Sequence, residues 1–181
     1  MRQIALAAAL LVTACQHAPP PTPQDAFFSR LAALCGQRFA GRMVSEPLAS
    51  DAAFRQPIEM EVRDCTAHEV RIPVRVGEDR SRTWVVTRTA DGLTLKHDHR
   101  HADGSEDAVS QYGGTTVTPG SAQRQDFPAD PFSRELFLRQ DIAVSMTNIW
   151  ALEIEPGRVF AYELNRPGRH FRLEFDLSAG A

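Results

Sequence analysis

Along most of the chain, apolar and polar positions alternate with a period of two. Ile58, Met60 and Val62 are interleaved with Glu59, Glu61 and Arg63, and Val70, Ile72, Val74 and Val76 with Glu69, Arg71, Pro73 and Arg75. Near the C-terminus, Trp150, Leu152 and Ile154, then Phe160, Tyr162 and Leu164, then Phe171, Leu173, Phe175 and Leu177 repeat the pattern. Pro156-Gly157 and Pro167-Gly168 part these runs. Successive side chains of an extended segment point to opposite faces, so each run predicts a strand with one face for a core and one for water. Phe39 to Ser45 predicts a first strand, and Ser121 to Phe127 a less regular one. Pro73 has no N–H to give to a ladder and predicts an edge, a bulge or a seam.

Two short stretches follow helical rather than strand spacing. Thr22-Pro23-Gln24-Asp25 is a helix start, with Thr22 as cap, Pro23 in the first helical position and Asp25 in the capping-box place. Phe27, Phe28, Leu31, Leu34 and Cys35 then share a face, and Gly36 can end the helix. Asp130-Pro131 predicts a second start, with Phe132, Leu136 and Phe137 as the apolar side.

The stretch from Trp84 to Gly114 predicts three antiparallel strands turned by Asp91-Gly92 and Asp103-Gly104. In its middle run Leu93, Leu95, His97, His99 and His101 share one face, and Thr94, Lys96, Asp98 and Arg100 the other. An apolar stripe thus turns into a histidine stripe near the rim of the core. Two-residue turns set His101 opposite Glu106, His99 opposite Ala108, His97 opposite Ser110, Val86 beside His97 and Trp84 beside His99. About ten short antiparallel strands joined by tight turns predict an all-β fold, an antiparallel up-and-down barrel with a short N-terminal helix. A jelly-roll or cupin-like sandwich is the alternative.

Net charge is −3 with the signs interspersed, which leaves no basic face for nucleic acid. Arg2 followed by the apolar run Ile4 to Val12 is too short to span a bilayer and has the form of a secretory signal. The residues Leu11-Val12-Thr13-Ala14-Cys15 resemble the lipobox of bacterial lipoproteins. That resemblance implies cleavage before Cys15, acylation of its sulfur and amino group, and attachment to a membrane of the bacterial cell envelope. Gln16 after the cysteine implies sorting to the outer membrane, facing the periplasm. Residues 1–14 are then a signal peptide and 15–24 a lipidated, Pro-rich tether, with Pro19, Pro20, Pro21 and Pro23 favouring extended geometry. Residues 25–181 form a single barrel domain. Of the three cysteines, Cys35 and Cys65 remain, and in an exported protein an even pair predicts a disulfide.

The candidate chemistry sits on the histidine stripe. Trp84, His97, His99, His101 and Tyr112 would line a ligand site at a barrel mouth, with a small apolar or haem-like molecule as its guest. Histidines two apart on a strand also converge, and His99, His101 and Glu106 would offer a divalent metal two nitrogens and an oxygen with positions left open. The spacing His99-x-His101, Glu106, Gly113 resembles the first metal motif of the cupins. The resemblance implies a metal-dependent enzyme, although Gly92 lies one place too far upstream and only Pro167-Gly168-Arg169-His170 hints at a second motif. The bland alternative is a solvated hairpin tip with Arg100 opposite Asp107 as a charge pair. Ser110 opposite His97 lacks a third member on its face and a nucleophile elbow.

Leu34-Cys35-Gly36-Gln37-Arg38-Phe39-Ala40-Gly41 resembles the Gly-x-aromatic-x-Gly entry into the first strand of the calycin barrels, the lipocalins and nitrobindin-like proteins. This implies an up-and-down barrel with an apolar cup. The mature chain as a whole resembles a group of exported bacterial proteins of uncharacterised activity. Three readings follow: an envelope lipoprotein that binds a small molecule, a cupin-like metalloenzyme, and a structural lipoprotein whose outer face meets another protein.

Overall fold

The alternation produces ten strands in a computed structural model that describes residues 20–178. The predicted signal peptide, the predicted lipidation site Cys15 and the first half of the predicted tether lie outside the described residues. The strands are β1 (Arg38–Met43), β2 (Ile58–Glu61), β3 (Glu69–Val76), β4 (Asp79–Thr89), β5 (Gly92–His99), β6 (Tyr112–Thr115), β7 (Arg124–Pro128), β8 (Ile149–Glu155), β9 (Val159–Arg166) and β10 (Arg169–Asp176). Their order is β6-β5-β4-β3-β2-β1-β10-β9-β8-β7. All ladders are antiparallel, and β1 with β10 is the pair that joins the two halves of the chain. The two end strands meet along a short seam, where Gly114 bridges Ala129 and the Asp130 N–H donates to the Gly113 carbonyl at 3.0 Å. The protein is therefore a nearly closed ten-stranded antiparallel up-and-down barrel, and the sandwich alternative does not describe its strand order.

The apolar halves of the alternating runs fill the barrel. Val70, Ile72, Leu95, Trp150, Leu152, Phe160 and Phe175 are completely buried, and burial of each such side chain contributes about 1.5–3 kcal/mol. Pro73 lies at a seam, as its missing N–H predicts. β2 and β3 pair as far as Met60–Val74 and resume in the same register at the Arg63–Arg71 bridge. On the other side of β3, a bulge separates Val74 from Val76.

One end of the barrel is plugged by α1 (Pro23–Ala32), whose Phe27, Phe28 and Leu31 are buried. Thr22 Oγ1 accepts from the Asp25 N–H at 3.1 Å, as the cap predicts. Gln24 donates to Thr116 Oγ1 at 3.0 Å, and the Arg88 guanidinium lies 4.5 Å over the Phe28 ring. Pro23 and Gln24 thus belong to the plug rather than to the tether. The helix ends before Gly36, and Cys35 sits in the turn that follows, bonded to Cys65 with 6.3 Å between the Cα atoms. Closing a loop of 30 residues contributes about 3–4 kcal/mol in the chain-entropy model.

A second helix, α2 (Pro131–Arg139), starts at Asp130, which accepts from the Ser133 N–H at 2.8 Å. Leu136 and Phe137 turn inward. Phe132, expected with them, is 48% exposed and lies under Lys96 Nζ at 5.1 Å. Buried Ser133 Oγ accepts from the Gly113 N–H at 2.7 Å and donates to the Gly113 carbonyl at 2.9 Å, tying α2 to the seam. Across the barrel end opposite α1, between β1 and β2, runs a 3₁₀ segment, Ala49–Arg55.

Candidate functional site at the barrel mouth

The end away from α1 holds the histidine stripe. β4 and β5 pair Val86 with Leu95, Trp84 with His97 and Arg82 with His99. The partners are shifted by two from those expected because Ala90-Asp91 forms the turn and Gly92 already pairs with Thr89. A shift of two leaves every side chain on its face. Leu93, Leu95 and His97 are accordingly buried on the inner wall, and His99 is half-buried at the rim.

Beyond His99 the expected third strand does not begin at Ser105. The turn holds three residues, Ala102-Asp103-Gly104, closed by the His101 N–H donating to the Ser105 carbonyl at 2.9 Å, with Gly104 at φ +85°. This is a bulged hairpin, and its extra residue sets Arg100, not His101, opposite Glu106. Residues 108–110 then loop out, Gln111 adopts φ +58°, and pairing resumes at His97–Tyr112. Tyr112 therefore takes the place opposite His97 that the sequence predicts for Ser110. Ser110 Oγ accepts from the His99 N–H at 2.9 Å, a structural role for that hydroxyl.

This path decides what the stripe can bind. His101 is exposed at the hairpin tip, with Nε2 3.8 Å from Asp107 Oδ2. Glu106 is exposed as well, accepting from Arg100 at 3.2 Å and Gln111 at 2.8 Å. The metal set His99, His101 and Glu106 is not assembled. Among the described residues no three His, Cys, Asp or Glu side chains converge as metal ligands. Trp84, His97, His99 and Tyr112 do come together around a cavity of about 200 Å³ at the mouth, and His101 does not reach it.

Inside, two pairs of rings form a layer. Trp84 and Tyr162 stack with centroids 4.2 Å apart, and His97 and Tyr112 with centroids 4.5 Å apart. His97 Nδ1 lies 3.1 Å from the Tyr112 carbonyl and Nε2 lies 2.9 Å from Tyr162 Oη. A carbonyl can only accept, so Nδ1 carries the proton and the neutral ring accepts the Tyr162 O–H at Nε2. Burial pushes the His97 pKa down to about 3, against the opposing effect of the Tyr112 carbonyl. Burial also pushes the Tyr112 phenol up to about 12 and raises Tyr162 well above its ordinary value. At the rim, burial and then the charge of Arg82 lower the His99 pKa. The layer is thus uncharged at neutral pH, and His97 has no free nitrogen.

The outer part of the mouth comes from residues the sequence did not single out. Arg82 stands two places before Trp84 on β4 and so on its face, a signal present in the alternation. Its Nη2 is 2.9 Å from Asp79 Oδ2, whereas its Nη1 is buried with no hydrogen-bond partner. Phe54, from the 3₁₀ segment, packs edge-on against Phe171 at 4.8 Å and lies 5.5 Å from the Arg82 guanidinium carbon. That segment is pinned by Asp51, whose carboxylate accepts from Arg169 Nη1 at 2.7 Å and from Nη2 at 2.5 Å. Burial would raise the Asp51 pKa, but these bonds and the Leu48 N–H outweigh it and hold the carboxyl below its usual range. The pair joins positions 118 apart in sequence, and no local pattern announces it.

The residues at the mouth do not fit haem. The cavity has the volume of one ring rather than of four pyrroles, and both nitrogens of the innermost imidazole are engaged. Larger hollows, such as one of about 350 Å³ bordered by Arg42, Arg158 and Asp176, lie over charged side chains on the outside of the wall. Compared with family models, curated proteins and solved structures, the chain matches none.

Proposed function

We propose that this protein is a lipid-anchored barrel of the bacterial cell envelope that binds a small, flat, mainly apolar molecule at its mouth. The observation that carries the reading is the cavity itself. The barrel interior is packed from α1 up to the Trp84–Tyr162 stack, and the packing stops short of the rim, leaving an aromatic-walled space with a few polar groups around it. That is the composition of a small-molecule site. Binding rather than catalysis is supported by the chemistry of the wall, where His97 is neutral and fully engaged and the two phenols hold their protons. The envelope address is supported by the lipobox-like run before Cys15 and by the Cys35–Cys65 disulfide, which suits an oxidising compartment.

Two measurements test this. Replacing Cys15→Ser should release the protein from the membrane fraction of the producing cell, and an unchanged membrane fraction would reject the anchor. Titration with a panel of one-ring and short-chain compounds, followed through indole fluorescence because Trp84 is in the wall, should find at least one submillimolar binder. No affinity better than about millimolar across the panel, which corresponds to about 4 kcal/mol of binding energy, would reject the binding reading.

A further inference from the structure

Arg82 borders the cavity, held between Asp79 and the Phe54 ring. Arg82 is largely withdrawn from water, with 19% of its side chain exposed, and one of its terminal nitrogens is buried without an acceptor. A buried donor left unpaired is costly, and native structures pair nearly all of them. Two other donor groups nearby are already used. Both terminal nitrogens of Arg169 are taken by Asp51, and His99 Nε2 lies 3.4 Å from Tyr112 Oη. Arg82 Nη2 is committed to Asp79, whose side chain is 45% exposed.

From this we infer that the ligand of the mouth is a monocyclic carboxylate, its carboxylate accepting from Arg82 and its ring lying in the aromatic slot. The inference rests on the binding reading above and adds the chemical class of the guest. A guanidinium presents its donors in a plane that matches a carboxylate. The slot is aromatic because the stacked pair Trp84 and Tyr162 borders it together with Phe171. A volume of about 200 Å³ suits a single ring, since a cavity of about 150 Å³ holds benzene.

Calorimetric titration of the full-length protein in phospholipid nanodiscs, with benzoate, its neutral counterpart benzamide, and acetate as the carboxylate without a ring, tests the inference. Benzoate should bind at least about 10-fold tighter than either of the others. Arg82→Gln should abolish the preference for benzoate over benzamide. Asp79→Asn frees the second guanidinium nitrogen and should tighten benzoate by about 2- to 5-fold; Asn can still accept the Ser81 N–H that Asp79 now accepts at 2.8 Å. Should Arg82→Gln fail to fold, the wild-type ratio and the Asp79→Asn shift decide. Equal affinity for benzoate and benzamide would overturn the carboxylate while leaving the mouth as a binding site. Equal affinity for benzoate and acetate would overturn the ring. Absence of binding by benzoate and benzamide alike, together with failure of the wider panel, would remove the binding reading and this inference with it.

Discussion

His97 shows how a single side chain is defined by what surrounds it. The alternation of β5 places it inward, and Tyr112 and Tyr162, from β6 and β9, determine which nitrogen holds the proton. Its folded pKa near 3 lies below the ordinary value of 6.5. Between those limits the unfolded chain takes up a proton that the folded chain does not, so stability falls as pH drops, by about 1.4 kcal/mol per unit. Half-buried His99 acts in the same direction. Urea unfolding should therefore show a loss of about 2 kcal/mol between pH 6.5 and pH 5, above the range where most carboxylates titrate. His97→Gln should be less stable at pH 7 and lose less over the same interval. Identical pH slopes in the two proteins would exclude His97 as the source. On the outer wall, burial would raise Glu163, but hydrogen bonds from Arg124, Asn165 and Arg172 prevail and hold it at about 2. Its contribution is complete above its ordinary value of 4.5 and is lost progressively as the pH falls from there to about 2.

At the scale of elements, caps and parities were legible, and turn lengths were not. Thr22 and Asp130 cap their helices as their neighbours predict, because an N-cap is a contact between residues three apart. The first turn keeps two residues but sits one place earlier, at Ala90-Asp91, and the second holds three. One shift, by two residues, kept the faces, and the other, by one, broke the proposed metal set apart. The 3₁₀ segment across the mouth was invisible as structure because the contacts that hold it, Asp51 with Arg169 and Phe54 with Phe171, join residues far apart in sequence. Asp51→Asn should uncouple it by leaving Arg169, 11% exposed, without its counter-charge. The expected cost is about 3 kcal/mol in denaturant unfolding, with faster amide exchange over residues 49–55. Stability within about 0.5 kcal/mol of wild type would show that the pair does not hold the segment.

For the whole molecule, closure is the property that no run of sequence states. The barrel closes through β1 with β10 and through the narrow seam between β6 and β7, where backbone meets backbone at Gly114. A Cβ on Gly114 would stand 1.9 Å from the Pro128 carbonyl oxygen, so Gly114→Ala must push the two strands apart. A loss of about 2–3 kcal/mol is expected, together with weaker protection of the Asp130 amide, which donates across the seam. An unchanged thermal midpoint would mean that the seam contributes little to closure.

By itself the sequence determined most of the strands, the apolar face of each of these, the helix starts and an expected pairing of Cys35 with Cys65, because each follows from neighbours along the chain or from the small number of cysteines. The mouth was decided only in three dimensions. Arg82, Tyr162, Phe54 and Arg169 meet there from β4, β9, the 3₁₀ segment and β10, and their meeting depends on ladder registers and strand order. Alternation says which way a side chain points, whereas the side chain it will face is settled by how the sheet closes on itself.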